Sequence, residues 1–241
     1  MNKKIENDIT SLERLCLKNS MEVMEWISKM QKFKDRNIHL AEDCSYLYIE
    51  GDKKYPALVA HADTVREIPK VYFESISEFF YDQEKKVLWS PNLAGFDDRA
   101  GIFAILKLSQ EYDFPIIILN QEEVGGNGAL KFCEDFFQKE QFKYFIELDR
   151  QGRDDSVFYD CHNSFFEYYI NSFGFKTAKG TFSDIFFLAP YFDCAAVNLS
   201  IGYVDEHCLT ERLYLEDFYE TIERVKHILE TADKAPKFLY F

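Results

Sequence analysis

His61-Ala62-Asp63, Asp97-Asp98, Glu122-Glu123, Asp149 and His207 are the residues of this sequence whose types and spacing could do chemistry. Imidazole nitrogen and carboxylate oxygen are donors that divalent zinc accepts, and a catalytic zinc site leaves one position open for water. A hydrolase built on two such ions needs a bridging carboxylate, terminal ligands for each ion, and a base that deprotonates the attacking water. The set holds a candidate for each role. Residues 61 and 63 of an extended segment point to the same side, so Asp63 could orient the His61 ring. Adjacent Glu122 and Glu123 point different ways, one free to ligate and the other to act as base. Each member also has a plainer reading. His61 could be an ordinary strand-end histidine, Asp97 and Asp98 caps at a helix start, and Glu122-Glu123 a solvated turn. Asp149 could pair with Arg150, and His207 could simply lie on the surface.

The elements that would carry these side chains favour the chemical reading. The apolar run at 57–60 (ALVA) leads into His61, the run at 114–119 (FPIIIL) into Glu122 and Glu123, and the run at 144–148 (YFIEL) into Asp149. Short apolar runs are expected of central strands covered on both faces. In open α/β sheets, functional residues gather at the carboxyl ends of such strands. Periodicity predicts helices over 8–33, 99–111, 129–137 and 215–231, and a helical turn at 184–188. It predicts further strands at 45–50, 165–173 and 193–199, with a hairpin from 79–81 to 87–89. Thr10 and Glu13 have the spacing of a capping box. Strands alternating with helices predict a three-layer α/β/α sandwich around a mostly parallel or mixed sheet.

Composition narrows the function classes. A formal charge of −14 over 241 residues argues against a nucleic-acid surface, which needs clustered Lys and Arg. No apolar run approaches the roughly 20 residues that cross a bilayer. Lys3 and Lys4 are followed by Glu6 and Asp8 rather than by the apolar segment of an export signal. The six cysteines are scattered with no CxxC pair, which reads as reduced thiols in a cytoplasmic protein. With no repeat or linker, the expectation is a single domain over 1–241, opening with a helical segment at 1–40.

The ordered set resembles the co-catalytic zinc exopeptidases. HAD at 61–63 is similar to their HxD strand end, and GFDDRAGI at 95–102 to their GxDDxAGI segment. QEEVGGNGA at 121–129 resembles their paired-glutamate segment, GTFSDIFFLAP at 180–190 their TDA or SDH segment, and His207 with Glu211 their terminal HxxxE. In size the chain is most similar to the single-domain aminopeptidases of metallopeptidase family 28, and it also resembles families 20 and 42. The resemblance implies a zinc-exopeptidase fold and two zinc ions, with cobalt or manganese as substitutes. Asp97, four residues before Gly101, would bridge them and be joined to Asp98 by a cis peptide bond. His61 and Asp149 would complete one site and Glu123 and His207 the other, with Glu122 as general base and Asp63 orienting His61. Ser183 and Asp184 fall in the segment nearest substrate. Arg150, in the basic stretch Arg150-Gln151-Gly152-Arg153, could bind a substrate carboxylate or pair with Asp154 or Asp155. The implied substrate is a short peptide. Cleavage of an N-acyl amino acid or another small amide on the same centre, and a non-catalytic binding module with a vestigial site, are the alternatives. No nucleic-acid or membrane partner is expected, and no dedicated dimerisation domain.

Overall fold

Apolar residues that alternate across one sheet divide the interior into two packed layers. The computed structural model describes residues 3–67 and 78–241. In chain order the strands are β1 (Ile38–Leu40), β2 (Tyr46–Ile49), β3 (Ala57–His61), β4 (Phe80–Asp82), β5 (Val87–Trp89), β6 (Ile116–Leu119), β7 (Phe145–Arg150), β8 (Asp155–Val157), β9 (Lys176–Thr177), β10 (Ala196–Ser200), β11 (Tyr203–Val204) and β12 (Arg212–Tyr214). The helices are α1 (Lys3–Cys16), α2 (Ser20–Ser28), α3 (Phe96–Leu108), α4 (Asn127–Phe136), α5 (Ser164–Asn171), α6 (Ile185–Phe192) and α7 (Leu215–Thr231).

The main sheet runs β1-β2-β6-β3-β7-β10-β8-β9. Strands β6, β3, β7 and β10 are parallel neighbours, and β1, β2 and β8 pair antiparallel, so the sheet is mixed. Leu58, Ala60, Ile116, Ile118, Ile146 and Leu148 face a core shared with α1, α2, α3 and α7. Val59, Ile117, Leu119 and Phe145 face the other core, closed by α4 and α6. The result is the expected three-layer α/β/α sandwich. A second, antiparallel sheet, β11-β12-β5-β4, holds the predicted hairpin and packs β11 and β12 near α3.

Several local expectations need correction. The helix predicted over 8–33 is two helices and a 3-10 turn at Gln31–Phe33. The capping box belongs to Asn19 and Glu22, at the start of α2. Thr10 and Glu13 lie inside α1, where the Thr10 hydroxyl donates to the carbonyl of Glu6. The segment at 1–40 is not helical throughout, since it ends in β1. The strand predicted at 165–173 is helix α5, capped by Asn163 and buried through Phe166 and Ile170, one helical turn apart. Residues 68–77, ahead of the predicted hairpin, lie outside the described residues. Among the described residues no helix is long and apolar enough to cross a membrane. All six cysteines are unpaired.

Phe132 of α4 is fully buried, with Tyr46, Tyr48, Phe136, Phe142 and Phe192 around it at ring separations of 4.8–6.2 Å. Truncating such a residue removes its transfer free energy and leaves a cavity. Phe132→Ala should therefore cost about 3–5 kcal/mol in urea unfolding. A loss below about 1 kcal/mol would contradict this packing.

Candidate metal centre

The carboxyl ends of parallel β6, β3 and β7 lie at one edge of the sheet, and the candidate residues meet there. His61, the last residue of β3, is 1% exposed. Its Nε2 lies 2.9 Å from Oδ1 of Asp97 and 3.3 Å from Oδ1 of Asp149. The other oxygen of Asp97 lies 3.0 Å from Nε2 of His207, which is also 3.0 Å from Glu123. Asp97 thus stands between two imidazoles, with Asp149 beside one and Glu123 beside the other. Ligand-capable atoms of His61, Asp97 and Glu123 fall within 4.8 Å of one another, as do those of His61, Asp98 and Asp149.

The two aspartates are joined by a cis peptide bond and do different work. Asp98 is spent on backbone: it accepts from Gly101 N–H at 2.9 Å and from His61 N–H at 3.3 Å. A side chain at Gly101 would collide with the Leu148 carbonyl at 2.1 Å and with Asp98 at 2.4 Å, so only glycine lets α3 approach β7 here. Glu211, on the far side, accepts from Asp97 N–H at 3.0 Å and Gly95 N–H at 2.6 Å. Arg99 is wholly buried and donates to the carbonyl of Ala62, just beyond β3, and to the carbonyl of Lys18 at 2.9 Å.

Asp63 contacts both the His61 ring and the turn that follows β6. The ring of His61 is held by the Asp63 backbone carbonyl, 3.0 Å from Nδ1, with the carboxylate at 3.5 Å. That carboxylate accepts the N–H groups of Glu122 and Glu123 at 3.1 and 3.2 Å, clamping the 3-10 turn Glu122–Val124 against the end of β3. Asp149 is fixed likewise. Its N–H donates to Asn198 at 3.0 Å, and the Tyr203 hydroxyl reaches its carbonyl at 2.8 Å. His207 sits at φ 61° and Gln121, just before the acidic turn, at φ 65°, in the left-handed region non-glycine residues rarely occupy.

Negative charge accumulates here out of water. Burial pushes the Glu122 carboxyl up to about 9, against the pull of His61 and helped by Asp149, Asp184 and Asp97. Burial raises Asp149 to about 6, with His61 opposing. Burial also opposes the ionised form of Asp97, but hydrogen bonds from His207 and His61 outweigh it and hold its pKa below the usual range. Hydrogen bonds to Asp97 and Glu123 lift His207 to about 11. Beneath these groups, burial takes Glu147 and Asp184 well above the usual carboxylate range. Neither oxygen of either has a hydrogen-bond partner among the described residues. A buried carboxyl without partners is costly when ionised, which is why both hold their protons. This donor set of imidazole and carboxylate fits divalent cations of the zinc type.

Ser183 and Asp184 are fully buried beneath the cleft, not in its wall. Arg150 is in the wall, while Arg153 pairs with Asp217 and Glu220 of α7. Sequence reasoning passed over Glu147, Asn198, Tyr203 and Arg99. Strand period alone places Glu147 on the face of Asp149 and could have found it. The others have no local signature.

No family model matches the chain, and no curated protein matches its sequence. Solved structures do match it in fold. The aminopeptidase PepT of Bacillus cereus aligns over 94% of this chain and 98% of its own, with TM-score 0.71 and 13% identity. A tripeptidase from Staphylococcus aureus aligns over 95% and 99%, with TM-score 0.72 and 12% identity. An aminopeptidase from the archaeon Desulfurococcus kamchatkensis aligns over 96% of both chains, with TM-score 0.66 and 13% identity. The chain shares the fold of these solved peptidases, a three-layer α/β/α sandwich.

Proposed function

We propose that this chain is a metal-dependent exopeptidase that removes residues from the amino end of short peptides. The observation that carries the reading is Asp97, whose two oxygens face His61 and His207 across a cluster of buried carboxylates. In this reading Asp97 would serve both of two divalent-cation sites, His61 and Asp149 would complete one, and Glu123 and His207 the other. The likeness in fold to aminopeptidases supports it.

When bound, such cations polarise a carbonyl and lower the pKa of water towards neutrality. The chain's own residues do the rest. Glu122 stands on the clamped turn beside Glu123, and cations seated among Asp97, Asp149 and Glu123 would lower its raised pKa to that of a base. It then takes a proton from the attacking water and returns it to the leaving amine. Asp63 keeps the base and the neighbouring ligand in register, since one carboxylate holds both N–H groups. Asn198 and Tyr203 hold Asp149 in place.

Glu122→Gln should retain both metals by elemental analysis and lose at least about 10²-fold in kcat; full turnover in that variant would sink the role of the base. Dialysis against a chelator should abolish hydrolysis of aminoacyl-p-nitroanilides, and added zinc, cobalt or manganese should restore it. Asp97→Ala should bind less than the wild-type complement of metal. A wild-type protein that binds no metal would overturn the proposed function.

A further inference from the structure

Along the sheet, Asn198 of β10 pairs with Glu147 of β7, but Ser200 pairs with Arg150. Two steps along β10 are matched by three along β7, so the ladder carries an irregularity at the end of β7. In a regular strand Asp149 and Arg150 would point to opposite faces. A bulge re-aims a side chain, and bulges are common beside active sites. Here Arg150 joins Asp149 in the wall of the cleft of about 320 Å³ that also contains Glu122 and His207.

The guanidinium is not used up by the fold. Its Nε is buried and has no hydrogen-bond partner among the described residues. The ion-pair contact it makes, Nε to Oδ2 of Asp155, is 3.7 Å long, beyond hydrogen-bonding distance. A pair this long and partly solvated is worth little. Among the described residues, Arg150 is also the one arginine or lysine in a wall that carries Asp97, Glu122, Glu123, Asp149 and Glu206. A planar, permanently charged fork in such a place suits bidentate capture of a carboxylate.

We infer that Arg150 receives the C-terminal carboxylate of the substrate, which makes the substrates di- and tripeptides rather than longer or C-terminally blocked chains. The inference rests on the proposed metal centre for the position of the scissile amide. Arg150 lines the same cleft as Asp149, Glu122 and His207, so the anion it holds lies beside the centre. An extended residue spans about 3.3–3.6 Å, so the carboxylate falls one or two residues beyond the cleaved bond. Arg150 is in this sense a specificity residue, not a catalytic one.

Calorimetric titration of the metal-loaded Glu122→Gln protein with Ala-Ala-Ala and with its C-terminal amide tests this without turnover. We expect the free acid to bind at least ten-fold more tightly, about 1.4 kcal/mol. In Glu122→Gln/Arg150→Met the ratio of the two constants should fall towards one. Arg150→Lys, which keeps the charge and loses the fork, should give an intermediate ratio. Equal affinities in the parent protein, a preference that survives Arg150→Met, or no binding of either peptide would overturn the assignment. Hydrolysis assays on the wild type report on the proposed function separately. Absence of metal-dependent cleavage of both peptides would remove the exopeptidase reading, while carboxylate selectivity in binding would still be read on its own.

Discussion

Asp97, Asp98, Asp149, Glu122 and Glu123 converge near two imidazoles, with Glu147 and Asp184 buried behind them, and like charges held this close repel strongly. The surrounding structure is arranged to hold them there. Backbone N–H groups are turned inward to meet the carboxylates: those of His61 and Gly101 on Asp98, those of Glu122 and Glu123 on Asp63, and those of Gly95 and Asp97 on Glu211. Each carboxylate spent this way fixes a neighbour that faces the cleft. Glu147 and Asp184, left without hydrogen-bond partners among the described residues, meet the same burial by holding their protons, their pKa values raised well above the usual carboxylate range.

This arrangement ties distant parts of the chain to the centre. Arg99 follows the aspartate pair and is wholly buried, yet it reaches both the end of β3 and the segment between α1 and α2. Glu67, which contacts Arg99 at 3.3 Å, also accepts from the N–H of Ser20 at the start of α2 at 3.0 Å. The N-terminal helices therefore do more than cover one face of the sheet. A buried arginine needs acceptors around it, and the segment between α1 and α2, the chain just beyond β3, and Glu67 supply them together.

Legibility in the sequence followed the range of the interactions. Central strands β3, β6 and β7 could be read because burial on both faces leaves uninterrupted apolar runs. Helix α7 could be read from the spacing of Leu215, Phe218, Ile222, Val225 and Leu229. Helix α5 could not, because its exposed Phe165 and Tyr168 favour strand by propensity, and only packing of Phe166 and Ile170 makes it a helix. Strands β8, β9, β11 and β12 hold two or three residues each, too few for a period to show. The break between α1 and α2 was marked by Asn19 and Glu22, but the apolar spacing ran on across it.

The sequence by itself determined the candidate donors, their order, and the apolar strands that bring three of them to one edge. Those are properties of residue type and local period, and they survive without knowledge of the fold. Only the tertiary structure decided that Asp97 faces both histidines while Asp98 is consumed by backbone. It also decided that the Asp63 carboxylate clamps the acidic turn as well as lying near the ring. The slip between β7 and β10 that brings Arg150 into the cleft wall belongs to the same class. Each depends on register between segments far apart in the chain, and register is settled by how the sheet and its helices pack together, not by any single stretch of residues.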